Sequence, residues 1–143
     1  IIPFIGQAVS AKRALKIAKE SGEEMITLYR GVDKWHPGKM VKDRKFVGAG
    51  AHGSGFDPGK NTLWTSRSRD YVEHPRYVGQ DPGRITLEFE VPKSYVNKLG
   101  KETGQGFSDI EPAMETFFEE GLPVEFLKKV HKMKDINWLY LSQ

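Results

Sequence analysis

The sequence predicts an α+β domain built on a largely antiparallel sheet. Three observations predict it: an amphipathic segment near the N-terminus, strictly alternating segments far apart in the chain, and turn-rich stretches between them. Ser10 is a suitable N-cap; Ala11, Ala14, Leu15 and Ala18 then share a helical face, with Lys12, Lys16 and Lys19 mostly opposite and Gly22 closing a helix over 10–21. From Met25 to Arg30 the period becomes two, with Ile26, Leu28 and Arg30 on one face of a strand. A charge therefore ends the apolar side, and it wants an anion or an acidic partner. Gly31 to Asn61 is rich in Gly, Pro, Lys and His without a period, a long excursion of the kind that often carries function in a small domain. Leu63 to Ser66 reads as a strand edge. Ile85, Leu87, Phe89 and Val91 alternate with Thr86, Glu88 and Glu90 in the clearest strand, which Pro92 ends. A short helix is expected over Ser94–Leu99. Thr116–Glu120 and Ile136–Leu141 are the remaining expected core strands, separated by Pro123 and the segment Glu125–Lys132. No internal repeat and no domain boundary interrupts the pattern.

With 143 residues the chain has the length of one domain, enough to bury a core, and it lacks an apolar run long enough to cross a bilayer. There are 22 Lys plus Arg against 19 Asp plus Glu, a net charge of +3 and a pI near 9.1, with no dense basic run. Such mild basicity permits an acidic partner without demanding one. The absence of cysteine excludes a disulfide framework, a thiolate zinc site and a cysteine nucleophile, and it suits a reducing cytoplasm. The start, Ile1-Ile2-Pro3-Phe4-Ile5-Gly6, is too short an apolar run for a signal peptide and has no charged leader. With no initiator methionine, the chain reads as a piece of something longer.

Several motifs are decoys. Gly48-Ala49-Gly50-Ala51-His52-Gly53 has the spacing of a dinucleotide-binding fingerprint, but Gly55, Phe56, Asp57, Pro58 and Gly59 follow it where that motif requires a helix. Gly59-Lys60 lacks the upstream glycine of a phosphate loop. His36, His52, His74 and His131 show no zinc-ligand spacing, and Ser54 between glycines lacks the surroundings of a nucleophile elbow.

Three segments remain, each reading as a strand edge: Leu28-Tyr29-Arg30-Gly31, Leu63-Trp64-Thr65-Ser66, and Met114-Glu115 leading through Phe117-Phe118 into Gly121-Leu122-Pro123. Convergent, they would bring an arginine, a serine and a glutamate to one cleft. That set suits a negatively charged dinucleotide whose ribosyl bond is to be broken. Cleavage develops positive charge on the sugar, which a carboxylate stabilises while accepting a bond from a ribose hydroxyl. Arginine offers the planar cationic fork a pyrophosphate needs, and a serine hydroxyl can orient the carboxylate.

In this order the segments resemble the Arg-Ser-Glu class of ADP-ribosyltransferases, in particular the toxin domains at the C-termini of Rhs-type and contact-dependent polymorphic toxins. Ile2-Pro3-Phe4-Ile5-Gly6-Gln7-Ala8 looks like the linker that precedes such domains, so residues 1–8 would be a linker remnant and 1–143 one toxin domain. The resemblance implies a split antiparallel β-sandwich with an N-terminal helix. It implies that Arg30 binds the nicotinamide-side ribose and phosphate, that Ser66 positions Glu115, and that Glu115 is the catalytic carboxylate. Glu119 and Glu120 stand as rivals. Tyr29, Gly31 and Thr65 would support NAD binding, and Tyr71 or Trp64 would stack on nicotinamide. Gly121-Leu122-Pro123 matches the turn that follows the glutamate in such toxins. The segment Gly104 to Met114 takes the place of the target-recognition loop, with Phe107 as its aromatic contact. Arginine-modifying members carry an acidic or amide residue where this chain has Ala113, which argues against arginine as acceptor; Glu111, one helical turn away, would substitute only if the loop is helical there.

The implied activity is NAD-dependent mono-ADP-ribosylation of a protein or RNA, with NAD as substrate and no metal. The implied role is an antibacterial effector delivered to a competitor's cytoplasm and neutralised by an immunity protein. The alternatives are an NAD glycohydrolase using the same residues, a metal-independent ribonuclease using His36, His52 or His131, and a non-catalytic binding module.

Overall fold

The computed structural model describes residues 10–33, 40–48, 61–73, 84–103 and 115–132. The expected strand at 136–141, Phe107, Glu111, Ala113, the residues 1–8 and most of the decoy motifs lie outside them.

Helix α1 (Ala11–Glu20) begins where the sequence predicts, with the Ser10 hydroxyl accepting from the Arg13 N–H at 3.2 Å, and Gly22 follows it at φ +74°. Among the described residues nine strands follow in chain order: β1 (Met25–Asp33), β2 (Val41–Lys42), β3 (Lys45–Phe46), β4 (Leu63–Ser66), β5 (Arg84–Pro92), β6 (Gly100–Thr103), β7 (Glu115–Phe118), β8 (Leu122–Pro123) and β9 (Leu127–Lys132). Two short helices, α2 (Arg69–Glu73) and α3 (Lys93–Leu99), and a 3-10 turn (Val124–Phe126) complete the described elements. The strands form a six-stranded sheet in the order β6-β7-β4-β1-β5-β9 and a three-stranded sheet in the order β2-β3-β8. All their pairings are antiparallel, so the protein is α+β with antiparallel sheets and few helices.

The alternation read in the sequence sets the two faces of the large sheet. Directly opposed residues of antiparallel strands share a face. Ile26 lies against Val91, Leu28 against Phe89 and Arg30 against Leu87 on the inner face, while Thr27, Tyr29, Glu88 and Glu90 point the other way. Leu28, Leu63, Leu87, Phe89 and Phe118 are essentially sealed from solvent. The small sheet joins this core through Phe46, edge-on to Phe89 with ring centroids 5.5 Å apart, and through Leu122. Tyr95 of α3 packs edge-on against Phe126 of the 3-10 turn at 5.1 Å, and burial pushes its phenol up to about 12. Gly121 sits at φ +76°, where a Cβ would lie 2.1 Å from the Phe46 carbonyl oxygen, so the turn into β8 requires glycine. The β2–β3 hairpin turns through Asp43 and Arg44 at φ 52° and 62°, and the Arg44 carbonyl accepts the Val124 N–H at 3.0 Å.

The structure corrects the sequence reading at several elements. The segment 125–132, expected as a separator, supplies the 3-10 turn and β9, which pairs along β5. β9 ends the sheet among the described residues and exposes Lys128, Lys129 and Val130, so it shows none of the apolar alternation by which a strand is recognised. The polar β6 went unanticipated for the same reason. β1 runs on to Asp33, with Val32 buried beyond Arg30, so the charge interrupts the apolar stripe instead of ending it. β7 covers Glu115–Phe118, leaving Glu119 and Glu120 in the following turn.

Candidate active site

Strand pairing assembles the candidate residues. Tyr29 of β1 lies opposite Ser66 of β4, and Ser66 lies opposite Glu115 of β7. Tyr29, Ser66 and Glu115 therefore form one row across three neighbouring strands, on the outer face. Arg30 follows Tyr29 and starts from the inner face. The residue is half-buried; its guanidinium donates from Nη1 to the Trp64 carbonyl oxygen at 3.2 Å and acts electrostatically on Glu115. Thr65 is fully buried and donates to the Thr116 carbonyl oxygen at 2.7 Å, which braces β4 against β7 beside the Ser66–Glu115 pair.

Helix α2 covers this row. Ser66 and Ser68 build the turn that starts it: the Ser66 hydroxyl accepts the Ser68 N–H at 3.1 Å, and the Ser68 hydroxyl accepts the Tyr71 N–H at 3.2 Å, as an N-cap does. At the other end, Glu73 accepts from Arg69 at 2.7 Å and from the buried Thr86 hydroxyl at 2.5 Å, fastening α2 to β5. Between these anchors the Tyr71 hydroxyl donates to Glu115 Oε1 at 2.6 Å. Tyr71 is 2% exposed, so packing occupies its ring and its hydroxyl is what reaches the site. The sequence reading missed α2 and this bond; the signal was Ser68 ahead of Arg69-Asp70, a cap before an acidic first turn.

Glu115 is half-buried. Burial pushes its carboxyl above the ordinary range, and the Tyr71 hydrogen bond and the Arg30 charge, both favouring the ionised form, only partly offset it. Glu119 and Glu120 lie past the opposite end of β7, exposed; Glu119 pairs with Lys101, and Asn61 donates to Glu120 at 3.4 Å. Trp64 lies against Phe117 with ring centroids 4.6 Å apart, an aromatic pair adjoining Ser66 and Glu115 on the outer face. Gly31 is buried in β1 next to Arg30. His131 of β9, four strands away from Glu115 in the sheet order, bonds Glu88 Oε1 of β5 at 2.7 Å. Among the described residues no group of three or more His, Cys, Asp or Glu could hold a metal ion, and no helix is long and apolar enough to cross a membrane.

The arrangement offers a recessed carboxylate with one hydroxyl donor, a guanidinium nearby and aromatic surface alongside. Chemically it can hold a hydroxyl-bearing, anionic ligand and stabilise positive charge developing next to Glu115. No family model, no curated protein and no solved structure matches this chain.

Proposed function

We propose that this chain is an NAD-dependent mono-ADP-ribosyltransferase with the split antiparallel β-sandwich of that class, and that Glu115 is its catalytic carboxylate. The observation that carries the reading is the pairing of Ser66 with Glu115 on adjacent strands beside Arg30. In the reaction the bond between the nicotinamide nitrogen and ribose C1′ breaks. Nicotinamide leaves neutral with the bonding pair, C1′ gains oxocarbenium character, and an acceptor nucleophile bonds to C1′ while its proton passes to solvent. Ionised Glu115 accepts a ribose hydroxyl and faces the developing charge; Arg30 holds the neighbouring phosphate; Thr65 keeps the two strands in register. One well-placed electrostatic group of this kind lowers the barrier by roughly 3 to 4 kcal/mol.

The acceptor is a macromolecule, protein or RNA. The domain works as an antibacterial effector in a competitor's cytoplasm, held in check by a cognate immunity protein; this part of the proposal rests on the sequence resemblance. The test incubates the protein with bacterial lysate and NAD labelled in its adenylate phosphate, with protease and ribonuclease arms and a Glu115→Ala control. Label on a macromolecule, absent with the variant, is the expected result, and the arm that removes it gives the acceptor class. Nicotinamide release without transferred label would make the protein a glycohydrolase. Intact NAD throughout would overturn the proposal.

A further inference from the structure

We infer that Tyr71 is the positioning residue for Glu115: its buried hydroxyl fixes one carboxylate oxygen and leaves the other to receive the ligand. The catalytic consequence rests on the transferase reading; the geometry does not. A phenol at 2% exposure with its hydroxyl 2.6 Å from Oε1 uses its one donor on that oxygen, because a phenol proton cannot point elsewhere while this bond is made. The ring is itself held. Ser68 accepts its backbone N–H, Ser66 accepts that of Ser68, and Glu73, two residues on, is tied to Thr86. Ser66 thus acts on Glu115 through the turn that delivers Tyr71, in addition to standing opposite it in the sheet.

Among the described residues, the other charged groups near Glu115 are few. Arg30 approaches from β1. The Arg67–Glu102 pair, at 3.1 Å, bridges the residue after β4 to β6, one strand beyond β7, and is exposed. On α2, Asp70 is exposed and Arg69 is engaged by Glu73. Tyr71 is the neutral donor in that set, and a donor to the ionised carboxyl favours the charged form that the reaction requires.

The test is Tyr71→Phe, which keeps the ring. NAD turnover should show kcat reduced about tenfold or more at neutral pH, since a hydrogen bond to a charged group is lost. KM for NAD should stay within about twofold, as expected when an interaction made in the transition state is removed. The acidic limb of the pH profile should move to higher pH, and the deficit should narrow as pH rises. A loss equal at every pH, or one confined to KM, would overturn the positioning role. Independently of NAD, the Glu115 carboxyl titration read by carbon-13 NMR, assigned by its absence in Glu115→Gln, should move to higher pH in Tyr71→Phe. An unmoved titration overturns the inference. Should Tyr71→Phe not fold, Ser68→Ala loosens the same ring and should shift the titration in the same direction by less; no shift there overturns the inference equally. A protein inert towards NAD whose Glu115 titration still moves with Tyr71→Phe would remove the transferase reading and keep the positioning one.

Discussion

The outer face of the six-stranded sheet carries carboxylates at both ends, and the fold surrounds them differently. At the β5–β9 end, Glu88 is bonded by His131 at 2.7 Å, and Glu90 lies between Lys19 at 3.3 Å and Lys128 at 3.2 Å. Burial alone would push the Glu90 carboxyl up, but the two ammonium groups outweigh it and hold it below the usual range. At the β7–β4 end, Glu115 has a neutral phenol and one guanidinium, and burial wins. The same residue type on the same face is thus compensated where it serves the sheet and left under tension where chemistry is proposed. Perturbed carboxyls of the second kind are the ones that concentrate at functional sites.

That contrast can be broken most forcefully by mutation. Glu115→Ala should lower NAD turnover by roughly a hundredfold or more with the fold retained, as judged by circular dichroism and a cooperative melt, whereas Glu90→Ala should leave turnover unchanged. Equal losses would erase the distinction. Stability should respond in the opposite sense. A carboxyl whose folded pKa is raised contributes stability at low pH that is lost as pH rises through that pKa, so Glu115 weakens the fold at neutral pH. Glu115→Gln should therefore raise stability at pH 7 by about 1 kcal/mol, the usual scale for relieving a functional site, and the gain should shrink as the pH is lowered.

Glu90, with its pKa depressed, contributes stability above its unfolded value that is lost as pH falls through the folded one. Glu90→Gln should cost less than about 1 kcal/mol at pH 7, since both lysines are more than half exposed, and variant and parent should converge in acid. The smallest effect is that of salt: molar sodium chloride should diminish the Glu90 contribution and leave the benefit of Glu115→Gln nearly intact. Urea melts at several pH and salt values measure all of these.

The parts of this face that were legible in the sequence are those whose signal is local. Arg30 stands out because it falls in an apolar alternation, and Ser66 and Glu115 because each borders a short run of apolar or aromatic residues. α1 and β5 were readable from period and capping alone. The strand order was not, because the pairing of β1 with β5 joins residues far apart in the chain. The edge strands β6 and β9 are polar and exposed, so nothing in their composition separates them from loop. The Tyr71–Glu115 bond spans 44 positions, and no motif encodes it. The Gly121-Leu122-Pro123 run illustrates a different point. The resemblance reads it as the turn that follows the glutamate in such toxins, and each residue also has a structural duty: the left-handed turn, a fully buried core side chain, and a partner for Lys45.

The hairpin at Asp43 and Arg44 has a practical consequence. Consecutive left-handed residues are the geometry that Asn-Gly adopts with ease, and two ordinary side chains there hold conformational energy that the unfolded chain does not. The same bend also clasps the segment after β8 through the Arg44 carbonyl. Arg44→Gly would release that energy and keep the backbone clasp, at the loss of the largely exposed Arg44 partner that Glu125 has at 3.8 Å, so the turn of the small sheet is a place to harden the protein for handling only if that ion pair is worth less than the left-handed backbone costs.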